Sequence, residues 1–339
     1  MTTIKEVSEL AGVSLATVSR VMNGSDQVTQ RTKDKVKKAM ETLGYRPNTM
    51  AQSLASGKSN SIGMMISELH GPFYGPLMSG AEKVIRQANK QFLVVASHGD
   101  ENSEKKAIDY LLGCKCDGLI LHSETLSDEE LIKISESGIE IVLINRYVKG
   151  LEDKCMSIDN VKGSKISTEW LIENGHTKIA CILGPQWKHD ARERFWGYQH
   201  ALTDARIPLD PTLLVSGDFQ ESGGREGVKQ LLDAKKEFTA ILCGNDETAF
   251  GAIEELTNRG IKVPEDISVI GFDDVQFSRM ISPKLTTIRY PIYDVGLEAS
   301  AEILAKVYQI KNAIPDGEKV HGIFEPQLIS RESVKNIKS

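Results

Sequence analysis

The first forty-seven residues constrain this chain most, because three short amphipathic runs follow one another there with breaks too tight to be linkers. Ile4, Val7, Leu10 and Ala11 recur at helical spacing, and Gly12-Val13-Ser14 then breaks the helix and offers Ser14 as an N-cap. In the next run, Leu15 to Met22, the residues Val18, Val21 and Met22 fall inward while Leu15, Ala16, Ser19 and Arg20 share the other face. A third run repeats the period at Val36, Ala39, Met40 and Leu43 and closes at Gly44, with Pro47 soon after. Helix, tight glycine turn, helix is the helix-turn-helix arrangement, whose second helix enters the major groove of DNA.

Charge divides the chain at the same place. Residues 1–60 hold nine basic against five acidic side chains, a net +4, whereas the whole chain stands at −6, which leaves −10 for the remainder. A basic head on an acidic body is what a phosphate-seeking module would show. The five cysteines are odd in number and mostly sit in or beside apolar runs, which predicts reduced thiols, and Cys114-Lys115-Cys116 lacks the second pair of a structural zinc site. No leader-like start and no apolar run of membrane-spanning length is present, so a cytoplasmic protein without membrane contact is expected.

From Ser61 onward short apolar runs (Ile62 to Ile66, Phe92 to Ala96, Gly118 to Leu121, Ile141 to Ile144, Ile179 to Leu183, Ala240 to Cys243, Ser268 to Gly271) alternate with amphipathic ones. Phe73 to Asn89, Glu104 to Leu112, Asp128 to Ser137, Ser164 to Glu173 and Thr248 to Asn258 read as the helices between them. Alternation of this kind predicts doubly wound parallel sheets covered by helices on both faces, with ligand residues in loops at the carboxyl ends of the strands. Arg46 to Asn60, rich in Ser, Gly and Asn, reads as a linker in which Met50 to Ala55 could form a turn or two of helix.

The strings Ile4-Lys5-Glu6-Val7, Ala11-Gly12-Val13-Ser14 and Ala16-Thr17-Val18-Ser19-Arg20-Val21-Met22-Asn23 resemble the amino-terminal signature of the lactose and galactose repressor family of bacterial transcription regulators. The body resembles the periplasmic sugar-binding fold which that family uses as its sensor, through Ile158-Asp159-Asn160, Gly175-His176-Thr177-Lys178, Asn245-Asp246-Glu247-Thr248 and Ile270-Gly271-Phe272-Asp273-Asp274. Leu143-Ile144-Asn145-Arg146, Ser222-Gly223-Gly224, Ser278-Arg279 and Leu285 to Ile292 are similar, more particularly, to the galactose repressor and isorepressor subgroup. Gln186-Trp187-Lys188-His189 has no match there and leaves room for another sugar. The fold implied is an all-α helix-turn-helix head, 1–46, a hinge helix or linker, 47–60, and an α/β periplasmic-binding-protein-like effector and dimerisation body, 61–339. Two doubly wound subdomains would divide the body, 61–160 with 291–321 and 161–290 with 322–339.

Site residues follow from the same resemblance. Leu15, Ala16 and Arg20 would read bases, Arg20 as a bidentate donor to guanine, while Thr3, Ser14, Thr17, Ser19, Asn23 and Thr32 would hold phosphates. Leu54 would wedge into the minor groove when two hinge helices meet. Arg194, Asn245 and Asp273 match positions that bind effector hydroxyls, His122, Arg146 and Asp190 match further contacts, and Phe73, Phe219 and Tyr290 could stack on a pyranose ring. The partners implied are a palindromic double-stranded operator, a small sugar, D-galactose foremost, and a second copy of the chain as a homodimer; no cofactor or metal is expected. Ligand-dependent corepression and a transport-type receptor stay open as alternatives. An enzyme fits poorly, because the chain lacks the G-x-S-x-G, Walker, G-x-G-x-x-G and H-E-x-x-H motifs.

Overall fold

Thr3 starts the head by accepting from the amide of Glu6, whose carboxylate returns to the Thr3 backbone, a reciprocal cap on α1 (Ile4–Ala11). Gly12 ends α1 at φ 64°, a conformation that a side chain would strain. Ser14 caps α2 (Leu15–Met22) by accepting from the Thr17 amide at 3.2 Å, and α3 (Gln30–Thr42) follows. Val7, Ala11, Val18, Val36 and Ala39 form the core where the three helices meet. Leu10, which shares the apolar period of α1, is instead 53% exposed. The structure is a computed structural model in which residues 2–22, 27–45, 57–311, 313 and 322–338 are described; Asn23, Leu54 and the expected hinge helix lie outside them.

Residues 1–60 and 61–339 form separate compact units. In the second, β1 (Ser61–Ile66), β2 (Gln91–Ala96), β3 (Gly118–Leu121), β4 (Glu140–Ile144), β5 (Cys155–Ile158) and β11 (Ile323–Phe324) make a parallel sheet in the order β11-β5-β4-β3-β1-β2. A parallel four-stranded sheet, β7-β6-β8-β9, is built from β6 (Ile179–Leu183), β7 (Leu214–Ser216), β8 (Ala240–Cys243) and β9 (Ser268–Ile270). The helices α4 (Gly71–Gln87), α5 (Glu101–Gly113), α6 (Asp128–Glu136) and α11 (Ile292–Tyr308) cover the first sheet; α7 (Asn160–Glu173), α8 (His189–Asp204), α9 (Glu221–Asp233) and α10 (Asp246–Asn258) cover the second. The near-continuous apolar strands β1, β3, β4, β6 and β8 are buried as such sheets require, whereas the edge strand β2 is only partly buried.

Chain crossings between the two lobes run through Ile158 to Asn160, through the end of β10 (Thr287–Arg289) and after β11, with β10 pairing antiparallel to β12 (Gln327–Ile329). Glu325-Pro326 separates β11 from β12, so β11 keeps the chain in the first sheet past residue 321 and the last crossing falls a few residues later than expected. Helix pairs approach closely at glycines. A Cβ on Gly80 would stand 2.3 Å from the Tyr293 carbonyl, one on Gly251 1.9 Å from that of Glu221, and one on Gly197 2.2 Å from that of Val161.

Candidate functional site

Loops at the carboxyl ends of the strands of both sheets converge on a cavity of about 390 Å³ between the lobes. From the first lobe come Ser67 and Glu68 after β1, His98 and Gly99 after β2, His122 and Glu124 after β3 and Asn145 after β4. The second lobe supplies Trp187, Lys188 and Asp190 after β6, Asp218 and Phe219 after β7, Asn245 after β8 and Asp273 after β9. His98, Asn145, Phe219 and Asp273 all have positive φ, between 54° and 110°. Strained backbone gathered in one place marks a site whose side-chain directions are fixed by the surrounding fold.

Arg194 is the centre of the second lobe's contribution. Its Nε donates to Asn160 Oδ1 at 3.0 Å, Nη1 to the Gly244 carbonyl at 2.7 Å and Nη2 to Asp273 Oδ1 at 3.1 Å. The guanidinium lies 3.8 Å from the Phe272 ring centroid and 5.4 Å from that of Phe219, held flat by cation-π contact. Asp273 is tied through its backbone to the crossing strand, its amide donating to Ile288 and its carbonyl accepting from Tyr290. Asn245 caps α10 by accepting from Thr248 at 2.9 Å and donates Nδ2 to the Phe219 carbonyl at 2.9 Å. The neighbouring Asp274 turns away to Arg331.

On the facing side His122 lies within 3.4 Å of Ser67 Oγ and of Asn145 Nδ2, and Asn145 also donates to Asp190 Oδ2 at 3.1 Å. Among the described residues Asn145 Oδ1 has no hydrogen-bond partner, a buried acceptor that a ligand hydroxyl would satisfy. Burial pushes the Asp273 carboxyl up to about 6 against the pull of Arg194, and pushes Glu247 up to about 7, helped by the charges of Asp273, Glu221 and Glu68. Burial also works against the Asp190 carboxylate, but Arg194, Lys188 and the Asn145 hydrogen bond together hold it below its ordinary range.

Phe73, His122, Asp190, Arg194, Phe219, Asn245 and Asp273 therefore share one cavity. Arg146 and Tyr290 do not line it. Arg146 donates to the Leu126 carbonyl at 2.6 Å and pairs with Asp128 at 2.7 Å, fixing the loop after β3, while its Nε has no hydrogen-bond partner among the described residues and it lines a small pocket with His122, Asn145 and Asp190. Tyr290 is buried behind Phe73, ring centroids 5.7 Å apart, where it supports that ring. Sequence reasoning missed Asn145, Glu124, Asp218 and Glu247 as lining residues, whose shared signal is a place just after an apolar run, where each strand ends; Lys188 falls in the Gln186-Trp187-Lys188-His189 string that departs from the galactose subgroup.

In the head, Leu15, Ala16, Ser19 and Arg20 are exposed on α2, and Leu15 is 48% exposed, unusual for a leucine with a core to join. Ser14 and Thr17 hydroxyls meet at 2.9 Å beside them. Thr32 bonds Thr29 at 3.0 Å at the start of α3, and the Thr3 hydroxyl serves the α1 cap.

The profile of bacterial regulatory proteins of the lacI family matches residues 3–48, and that of periplasmic binding proteins and the sugar binding domain of the LacI family matches residues 59–324. The HTH-type transcriptional regulator GalR of Salmonella typhimurium LT2 is 37% identical over 334 residues, 98% of this chain and 96% of its own length. GalR of Escherichia coli K12 is 36% identical over the same span and shares. The lac repressor dimer bound to operator and the anti-inducer ONPF superposes with a TM-score of 0.86 at 28% identity, over 98% of this chain and 99% of that one.

Proposed function

Because the chain belongs to the LacI family of DNA-binding transcription regulators with a sugar-binding domain, we propose that it is a dimeric repressor which releases a palindromic operator when D-galactose fills the cleft. One observation carries the sugar reading: Arg194, fixed between Phe219 and Phe272, presents donors beside the Asp273 acceptor and the Asn245 amide, a set that suits vicinal hydroxyls. Phe73 and Phe219 offer ring faces to the apolar side of a pyranose. Likeness to GalR favours galactose among hexoses.

In this reading Leu15, Ala16 and Arg20 read base edges, and Ser14, Thr17, Ser19 and Thr32 hold phosphates. Sugar binding to both lobes favours one cleft geometry, and that geometry disfavours the paired heads on DNA. Fluorescence anisotropy of the full chain on a palindromic operator, titrated at fixed salt with D-galactose, D-glucose and D-fucose, tests it. Release by galactose is the expected result; binding that only tightens with sugar would reverse the sign of the coupling, and operator binding that no sugar disturbs would remove galactose.

A further inference from the structure

The stretch after β6, whose Gln186-Trp187-Lys188-His189 string departs from the galactose subgroup, reaches across the cleft in three places. Lys188 Nζ of the second lobe pairs with Glu124 Oε1 of the first at 2.7 Å, and the two side chains are only 17% and 8% exposed. Asp190 accepts from Asn145 of the first lobe at 3.1 Å. Trp187 lies over Gly99 of the first lobe, a ring carbon 3.5 Å from where a Cβ on that glycine would stand.

Both sides of this contact are braced. Arg192 Nη1 donates to the carbonyls of Gln186 at 3.0 Å and Trp187 at 2.7 Å, and Gln186 Nε2 donates to the Gly184 carbonyl at 2.9 Å. Opposite, the fully buried Glu104 carboxylate accepts from Ser123 Oγ at 2.6 Å and from the amides of Glu124, Thr125 and Leu126. Among the described residues Glu124 Oε2 has no hydrogen-bond partner, so Lys188 is what compensates a nearly buried carboxylate, and parting the lobes leaves that charge uncompensated until water reaches it. At another part of the cleft Glu247 of the second lobe faces Gly71 of the first, with Glu68 nearby, and like charges give no such attachment. The Lys188–Glu124 pair is thus the place where opposite charges attach the two lobes.

We propose that Trp187 and Lys188, with Glu124, are positioning residues that clasp the two lobes and hold the ligand groups of each at binding distance. The inference rests on the sugar reading only for its affinity readout. The full-length protein labelled with 5-fluorotryptophan, its Trp187 resonance assigned with W187F, gives a readout that needs no ligand. Trp187 is 51% exposed where it lies over Gly99, and E124Q, acting from the opposite lobe, should shift its resonance from that half-exposed position further toward the fully exposed one in ligand-free protein. G99A, whose added Cβ would lie 3.1 Å from Glu124 Oε2 and 3.5 Å from Trp187, should move it the same way. E124Q should also weaken D-galactose binding about five- to thirtyfold, and the charge-swapped E124K/K188E should restore both signals. A Trp187 resonance unmoved by E124Q and G99A, or a folded charge swap that restores neither signal, would overturn the clasp. Wild-type protein that ignores D-galactose while E124Q still moves Trp187 would keep the clasp and retire galactose.

Discussion

Arg194 concentrates the chemistry of the cleft in one side chain, with three charge-assisted donations and two aromatic neighbours holding its plane. R194A leaves Asp273 without its ion-pair partner and Asn160 Oδ1 without a donor. Sugar affinity by calorimetry should fall by about 2 kcal/mol or more, since hydrogen bonds to charged groups each contribute about 1.5 to 3 kcal/mol, while operator affinity without sugar stays near wild type. R194K keeps the charge but not the planar fork, and should recover only a small part of the loss. Equal losses of sugar and operator binding would instead mean that the variant unfolds the body. In the head, R20A should flatten preference at one base pair of each half-site by about 1 to 3 kcal/mol in competition binding; a uniform loss over all sequences would make Arg20 a phosphate contact.

Elements in this protein depend on backbone features as much as on apolar stripes. The α1 cap shows this on a helix of eight residues, too short to hold itself together in water. T3A removes the hydroxyl that receives the Glu6 amide and should lower head stability by about 1 kcal/mol, read as a drop in the melting temperature of residues 1–60 by circular dichroism. The α9 and α10 pair makes the opposite point, because its closest approach is written in glycine: G251A places a Cβ 1.9 Å from the Glu221 carbonyl oxygen, which no side-chain rotation can relieve. A destabilisation of about 1 to 3 kcal/mol in urea unfolding is expected. These glycines are visible in the sequence, yet nothing local distinguishes Gly251 in mid-helix from a tolerated flaw.

For the whole molecule the buried carboxyls set a pH dependence. Burial pushes Asp246 up to about 8, with the Asp273 charge adding to it and hydrogen bonds from Ser278, Thr287 and the Val275 amide opposing. With Glu247 near 7 and Asp273 near 6, each of these groups holds its proton more tightly folded than unfolded. Stability from them is present at low pH and is lost as pH rises from about 4 through about 8. Asp190, held low, works the other way and loses its contribution as pH falls through its folded value. Urea unfolding across that range should therefore show a slope that D246N makes shallower. Reciprocal coupling is the test of the proposed function at this scale: if sugar weakens operator binding by some factor, operator DNA must weaken sugar binding by the same factor, and calorimetry with and without operator checks the equality.

Periodicity and breaks fixed the element types. Runs such as Gly118 to Leu121 and Ala240 to Cys243 match their strands residue for residue, because a strand buried on both faces must be continuously apolar and must end where polar loop residues begin. The same rule made the ends of strands the place to look for ligand groups, and motif resemblance singled out Asn245 and Asp273 there and Arg194 inside α8. Directions of side chains were not legible in this way. Arg146 and Asn145 are neighbours after β4, yet Asn145, at φ 59°, faces the cavity while Arg146 turns to Leu126 and Asp128. The Lys188 and Glu124 pair was equally hidden, since it joins residues 64 apart through a cleft that exists only once both sheets are formed. Local sequence specifies what each segment is, through propensity and burial; which charges meet is decided by three chain crossings that bring two separately built lobes face to face.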